Sequence, residues 1–217
     1  MQNTVDFFSN DETRVVAIGD SLTQGVGDET DRGGYVGILE RSINKEEEIA
    51  QFDNFGVRGN RTDQLLGRLE VEEIALAIRD ADIVLITIGA NDIMQVAKEN
   101  ITDLDFADFV DEQYQYEENL REIIDKIRDL NEKSDIYLVG FYNPFRQYFE
   151  EIKELEMIVD NWNTIGAEVI SDYDNADFIP TDDLFMDDNV QLYAKDNFHP
   201  NYEGYFRMAE RVLDYLR

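Results

Sequence analysis

Residues Ile83–Ile88 are apolar at almost every position, with no alternation of polar and apolar side chains. A short run of that kind fits a strand covered on both faces, as in a parallel sheet flanked by helices. Similar runs punctuate the chain. Arg14–Ile18, Ala50–Phe55, Ile136–Phe141 and the short Phe178-Ile179 also read as strands. Between them lie stretches with helical periodicity: Tyr35–Ile43, about Asp63 to Arg79, Phe106–Leu130, and about Phe149 to Ser171. In the second, Leu65, Leu66 and Leu69 recur at helical spacing. In the third, Leu120, Ile123, Ile124 and Ile127 share one face. Strands alternating with helices predict an α/β fold with a parallel sheet, right-handed crossovers and helices on both faces.

The end of the chain is the clearest helix. Tyr202, Tyr205, Phe206, Ala209, Val212, Leu213 and Leu216 follow the i, i+3, i+4, i+7 pattern. Asn201 is a good N-cap, and Pro200 stops the helix from running back into the preceding loop. That loop is Asp196-Asn197-Phe198-His199-Pro200, and His199 is the single histidine of 217 residues. A carboxylate and an imidazole three residues apart are thus held immediately before a packed helix.

Near the other end, the first strand runs into Gly19-Asp20-Ser21-Leu22. A serine hydroxyl is a weak nucleophile until an imidazole takes its proton, so Ser21, His199 and Asp196 are candidates for nucleophile, base and orienter. Taken singly, each motif also fits an ordinary turn, since Gly, Asp and Ser favour turns. Two further polar, glycine-bearing motifs follow apolar runs: Asn54-Phe55-Gly56-Val57-Arg58-Gly59-Asn60-Arg61-Thr62 and Thr87-Ile88-Gly89-Ala90-Asn91-Asp92. In open α/β sheets ligands bind at the carboxyl ends of the strands, where these motifs converge. A bare Gly59 N–H, the Asn91 amide and the Ser21 N–H are candidate donors to an oxyanion.

These four blocks, in this order, resemble those of the SGNH hydrolases, also called GDSL esterases and lipases. The blocks are Gly19-Asp20-Ser21-Leu22, the segment carrying Gly59, Gly89-x-Asn91-Asp92, and Asp196-x-x-His199-Pro200. The resemblance spans about Val15 to the C-terminal helix. One departure is Ala90, where many members have a second glycine; it adds only a methyl group. The run Gly140–Phe145 is similar to a bacterial lipase/acylhydrolase subgroup. The resemblance implies a three-layer, flavodoxin-like sandwich on a five-stranded parallel sheet. It implies a serine esterase working through an acyl-enzyme, with Ser21, Asp196 and His199 catalytic, Ser21, Gly59 and Asn91 forming the oxyanion hole, and no metal or organic cofactor. Asp20 and Asp92 are supporting residues, Asp20 by pinning the turn through hydrogen bonds. Lipid esters, lysophospholipids, thioesters and acetylated sugars all lie within the family's range, so a carbohydrate O-acetyl esterase is an alternative to a lipase or acylhydrolase.

Phe141, Tyr142 and Phe145 fit either the wall of a substrate pocket or ordinary packing of a loop, and Met94 fits either acyl contact or core. A flavodoxin-like module whose Gly19–Gly25 turn cradles a phosphate is the rival from another class. It leaves Asp196-x-x-His199 and Gly89-x-Asn91-Asp92 without a purpose.

Composition narrows the partners. There is no cysteine, so there is no disulfide, thiolate metal site or cysteine nucleophile, and a single histidine excludes a histidine metal cluster. The formal net charge is −30, from 49 acidic and 19 basic residues. A small domain usually carries a magnitude of about 2–8. Nucleic acid and anionic membranes are poor partners for such a surface, whereas a small-molecule or lipid ester is a suitable one. Two readings of the composition stand: adaptation to high salt, which screens self-repulsion, or simply an unusually acidic, highly soluble surface. Residues 1–13 are polar, with Asp6, Asp11 and Glu12, and residues 14–217 read as a single domain, expected to be monomeric. No basic segment followed by an apolar one is present, and no run approaches the roughly 18 apolar residues of a spanning helix. The chain is expected to be extracellular or at the cell surface if a leader has been trimmed, and otherwise cytoplasmic.

Overall fold

A computed structural model describes residues 13–99, 106–144, 153–187 and 189–216. Its core is a five-stranded sheet in the order β2-β1-β3-β4-β5, built from β1 (Thr13–Gly19), β2 (Ala50–Gly56), β3 (Ile83–Thr87), β4 (Asp135–Val139) and β5 (Ala176–Ile179). Every neighbouring pair is parallel. All residues of the central β3 are buried, which is why its sequence shows no alternation. The edge strands β2 and β5 expose Gln51, Asp53 and Asp177. Charged residues on an edge discourage pairing with another chain.

Helices cover both faces. On one, α2 (Gly34–Ile43) packs against α8 (Tyr202–Tyr215). On the other lie α3 (Thr62–Arg68), α4 (Glu72–Arg79), α5 (Ala90–Glu99), α6 (Phe106–Leu130) and α7 (Lys153–Ser171), with α6 in contact with each of the other four. The short α1 (Ser21–Gln24) sits at the end of β1. Leu120, Ile123, Ile124 and Ile127 of α6 are fully buried, as their spacing predicts. Each contributes roughly 1.5–3 kcal/mol relative to an exposed side chain. Tyr116 of α6 packs its ring 5.9 Å from that of Trp162 on α7, and both are buried. Asn201 caps α8 by accepting the Gly204 N–H at 3.0 Å.

The single helix expected over 63–79 is two. Val71, with φ −70° and ψ 124°, breaks it. Leu65 and Leu69 are buried in the first piece, Ile74 and Ile78 in the second. Position 69 to position 74 is a step of five, so a continuous helix would have turned Glu73 toward the core in place of Ile74. The break resets the phase. Helix α5 was not anticipated: its apolar residues Ile93 and Val96 make too short a stripe to stand out beside the polar Asn91, Asp92 and Gln95. Strand β4 ends at Val139, before Phe141, because Asn163 of α7 takes over the Phe141 backbone, accepting its N–H at 3.2 Å and donating to its carbonyl at 2.8 Å. Residues 149–152 of the helix expected to start near Phe149, and residues 1–12, lie outside the described residues.

The chain goes from β1 outward to β2, then crosses over to β3 on the other side of β1. The crevice beyond the carboxyl ends of β1 and β3 is therefore the topological switch point of the sheet, where such folds bind ligands.

Candidate active site

Strand β1 ends in Gly19, with φ +136°, and a Cβ there would stand 2.0 Å from the Thr87 carbonyl oxygen. Only glycine lets the chain turn this tightly against β3. Asp20 follows, its N–H bonded to the Thr87 carbonyl at 3.0 Å. Its Oδ1 accepts the Leu22 N–H at 3.0 Å and the Thr87 hydroxyl at 2.8 Å. Asp20 thus caps α1 and locks it to β3, which is the turn-pinning role its position predicts. Burial is the main reason its carboxyl is pushed up to about 7. Ser21 is the first helical residue, so its own N–H has no partner within α1.

The imidazole arrives from the other end of the chain. His199 Nε2 lies 3.0 Å from Ser21 Oγ, and His199 Nδ1 lies 2.6 Å from Asp196 Oδ2. Asp196 Oδ1 also accepts the backbone N–H groups of Phe198 and His199, each at 3.0 Å. Burial works to raise the Asp196 carboxyl, but the hydrogen bond from the imidazole and those from the two N–H groups outweigh it, so the group falls below its ordinary value. An ionised Asp196 accepts the Nδ1 proton, which leaves Nε2 free to accept from Ser21. The loop is held from several sides. Asn197 takes φ +51°, the Ala194 N–H bonds the His199 carbonyl at 2.8 Å, and the Tyr142 hydroxyl donates to the Phe198 carbonyl at 2.7 Å.

The third side of the site is the turn after β2. Gly59 has φ +78° with open space where a Cβ would point. The neighbouring Asn60 is clamped by Arg68, which donates to its Oδ1 at 2.7 Å and to the Phe55 carbonyl at 2.6 Å. Asn91, on the first turn of α5, donates from Nδ2 to the Asn60 carbonyl at 3.0 Å. One N–H of that amide therefore fixes the Gly59 turn and one remains. Asp92 faces away, into the protein. It accepts the Thr62 N–H on both oxygens at 3.2 Å, together with the Thr62 hydroxyl at 2.5 Å, and Asn119 donates to that hydroxyl at 2.9 Å. Burial is the largest influence on Asp92, and its carboxyl rises to about 6. Asp92 thus ties the start of α3 to α5 beneath the site.

Two hollows meet at Ser21. A narrow one of about 20 Å³ is walled by Leu22, Ala90, Phe141, Tyr142, Pro144 and Phe198. A wider, open one of about 290 Å³ holds His199, Gly59, Asn91, Met94, Arg58 and Lys98. Phe141 and Tyr142 wall the narrow hollow, and Tyr142 also stacks on Phe185 at 3.9 Å. Met94 lines the wide hollow. Phe145 lies outside the described residues. Sequence reasoning missed Thr87, Asn60, Thr62, Arg68 and Asn119. Arg68 and Asn119 lie outside the motifs, and Thr87, Asn60 and Thr62 lie inside them with no role of their own assigned; each matters only through a partner brought near by the fold. Asp28 was missed too, although an Asp two residues before a Thr signals a turn. It accepts from Thr30, Arg32 and Gly34, bracing the loop whose Gly27 packs on His199.

A serine hydroxyl, an imidazole and a carboxylate thus lie in hydrogen-bonded series at the switch point of a flavodoxin-like parallel sheet. Residues 17–207 match the model of the GDSL-like lipase/acylhydrolase family, and the chain belongs to that family. It is 36% identical over 207 residues to the uncharacterized protein YpmR of Bacillus subtilis, covering 94% of this chain and 81% of that one. It is 26% identical over 205 residues to the spore germination lipase LipC of Bacillus licheniformis, covering 90% of this chain and 92% of that one. Among solved structures it resembles the lipase Lip_vut3 from a goat rumen metagenome, with TM-score 0.81, 25% identity, and coverage of 92% of this chain and 95% of that one. The chain is a carboxylic ester hydrolase. Among the described residues, no helix is long and apolar enough to cross a membrane.

Proposed function

We propose that Ser21 attacks the ester carbonyl while His199 takes its proton, and that Asp196 holds the imidazole tautomer and stabilises the imidazolium. The observation that carries this reading is the continuous relay from Asp196 Oδ2 to His199 Nδ1 at 2.6 Å and from His199 Nε2 to Ser21 Oγ at 3.0 Å. The tetrahedral oxyanion is received by the N–H groups of Ser21 and Gly59 and by the remaining N–H of Asn91. His199 then protonates the leaving alcohol, and water repeats the cycle on the acyl-enzyme. Asp20 and Asp92 act as positioning residues beneath Ser21 and the Gly59 turn.

The leaving alcohol receives its proton from His199, so it departs on the side of the wide hollow that His199 lines. The acyl group then occupies the narrow hollow on the other side of Ser21. At about 20 Å³ it is far smaller than the wide hollow of about 290 Å³. It suits an acetyl methyl and not a long chain. The substrates this division favours are short-acyl esters of polar alcohols, O-acetylated carbohydrates among them.

The test is Ser21→Ala, assayed on an activated acetate with circular dichroism as the check on folding. Turnover falls by roughly 10⁴-fold or more, with the spectrum unchanged. Near wild-type turnover in a folded variant would remove Ser21 from this role.

A further inference from the structure

The alcohol side of the site carries charge of the unexpected sign. In a chain of net charge −30, the wide hollow is bordered by two cations, Arg58 and Lys98. Acidic partners are abundant, and nearby arginines use them or a carbonyl: Arg61 pairs with Asp63 at 3.2 Å, and Arg68 is spent on Asn60 and the Phe55 carbonyl. Among the described residues, neither the Arg58 nor the Lys98 side chain makes an ion pair or hydrogen bond. The one carboxylate in the same hollow, Asp196, is already occupied by the imidazole and two backbone N–H groups.

Their placement is regular. Arg58 immediately precedes Gly59, and its backbone N–H is anchored to Gln24 Oε1 at 2.7 Å, which leaves the side chain without a structural duty. Asn91, Met94 and Lys98 lie at i, i+3 and i+7 of α5, the spacing of one helical face. Lys98 is therefore about 10 Å along the helix from Asn91, on the side where the alcohol leaves. A guanidinium offers a planar fork and an ammonium a point charge, and both suit a phosphate or carboxylate.

Building on the ester-hydrolase reading above, we propose that Arg58 and Lys98 are specificity-determining residues that select esters whose alcohol portion bears an anionic group, a phosphate or a carboxylate, a few bonds from the ester oxygen. The net field of the protein repels such a substrate at a distance, and salt removes that repulsion, leaving the contact between charges.

Three aryl acetates share one acyl group and differ only in the alcohol: phenyl acetate, 4-acetoxybenzoate and 4-acetoxyphenyl phosphate. Their kcat/KM values are measured at about 1 M chloride, where the Debye length is roughly 3 Å. The quantity read is the ratio of charged to neutral ester in each variant relative to wild type, so intrinsic reactivity cancels. Arg58→Gln and Lys98→Gln each lower the ratio by roughly three- to tenfold, and Arg58→Glu lowers it further. Lys133→Gln, an exposed cation at the opposite end of the sheet, leaves it unchanged. A larger drop for the phosphate ester than for the carboxylate assigns the site to phosphate, and equal drops assign it to anions generally. A ratio that survives in both Arg58→Gln and Lys98→Gln overturns the proposal. Phenyl acetate separates the two levels of inference: if wild type fails to hydrolyse it, or Ser21→Ala still does, the hydrolase mechanism itself has failed. If that control holds and the ratio does not move, only the anion selectivity has.

Discussion

Asp20 turns the geometry of the nucleophile turn into a measurable pH dependence. The group is fully enclosed, and burial, with a smaller contribution from Asp92, raises its carboxyl from 3.8 to about 7 against the hydrogen bonds from Leu22 and Thr87. A carboxyl raised on folding contributes stability that is present below its unfolded value and is lost as pH climbs through its folded value. At 1.36 kcal/mol per pH unit, the full loss is about 4 kcal/mol, of which roughly 3 kcal/mol falls between pH 5 and pH 8. Asp20→Asn removes the titration while keeping the shape. Both hydrogen bonds fall on Oδ1, which a carboxamide reproduces. Any cost of the new amide N–H group shifts the variant's stability by a constant and leaves the slope untouched. The assay is the melting temperature of wild type and variant at pH 5, 6, 7 and 8, in one buffer ionic strength. All other carboxyls cancel in the difference. For a chain of this size about 1 kcal/mol moves the midpoint by roughly 2–4 °C, so the variant gains about 6–12 °C relative to wild type on going from pH 5 to pH 8. Parallel curves across that range would refute the reasoning and show that Asp20 is ionised, or hydrated, at neutral pH.

Asn91→Ala removes the amide proposed to serve the oxyanion together with its tether to the Asn60 carbonyl; turnover of an activated acetate falls by roughly 10²–10³-fold, and a defect in KM alone would take Asn91 out of that role. On a series of p-nitrophenyl esters, kcat/KM declines steeply from acetate to octanoate, because the narrow hollow beside Ser21 has a volume of only about 20 Å³; a rise toward octanoate would show that the acyl chain lies elsewhere. Stability rises between 0.1 M and 1 M chloride, where the Debye length shrinks from about 10 Å to about 3 Å and 49 acidic side chains repel less. Chloride is compared with a kosmotropic salt, which also strengthens hydrophobic burial, and an unchanged or lower melting temperature in molar chloride would rule out a salt-adapted surface.

Much of the fold was legible because its signals are local. An apolar run such as Ile83–Thr87 marks a covered strand wherever it lies, and the stripe from Leu120 to Ile127 marks a helix face without reference to its partner. Gly19, Asp20 and Ser21 carry a turn in their own side chains, and so does Asn201 at the start of α8. The phase break at Val71 was not legible, because periodicity records spacing along one helix and not which of two faces the sheet will cover. The same limit applies to the site. Residue types marked Ser21, Asn91, Asp196 and His199 as candidates, but Ser21 and His199 are 178 positions apart and meet only because α8 packs against α2 and carries the loop before it to the end of β1. Thr87 and Thr62 lie within the site motifs and Arg68 outside them, but none has a side chain that announces its role. Their roles as anchor to Asp20, clamp of the Gly59 turn and seat for Asp92 exist only through partners 67, 8 and 30 residues away. The amino-acid sequence determined most of the elements, the tight turns and which side chains carry reactive chemistry, since those depend on backbone sterics and side-chain chemistry close by along the chain. Tertiary structure decided which of those groups meet, which carboxyls are stripped of water, and how wide the space beside Ser21 is, since distance, desolvation and volume arise only when separate elements pack together.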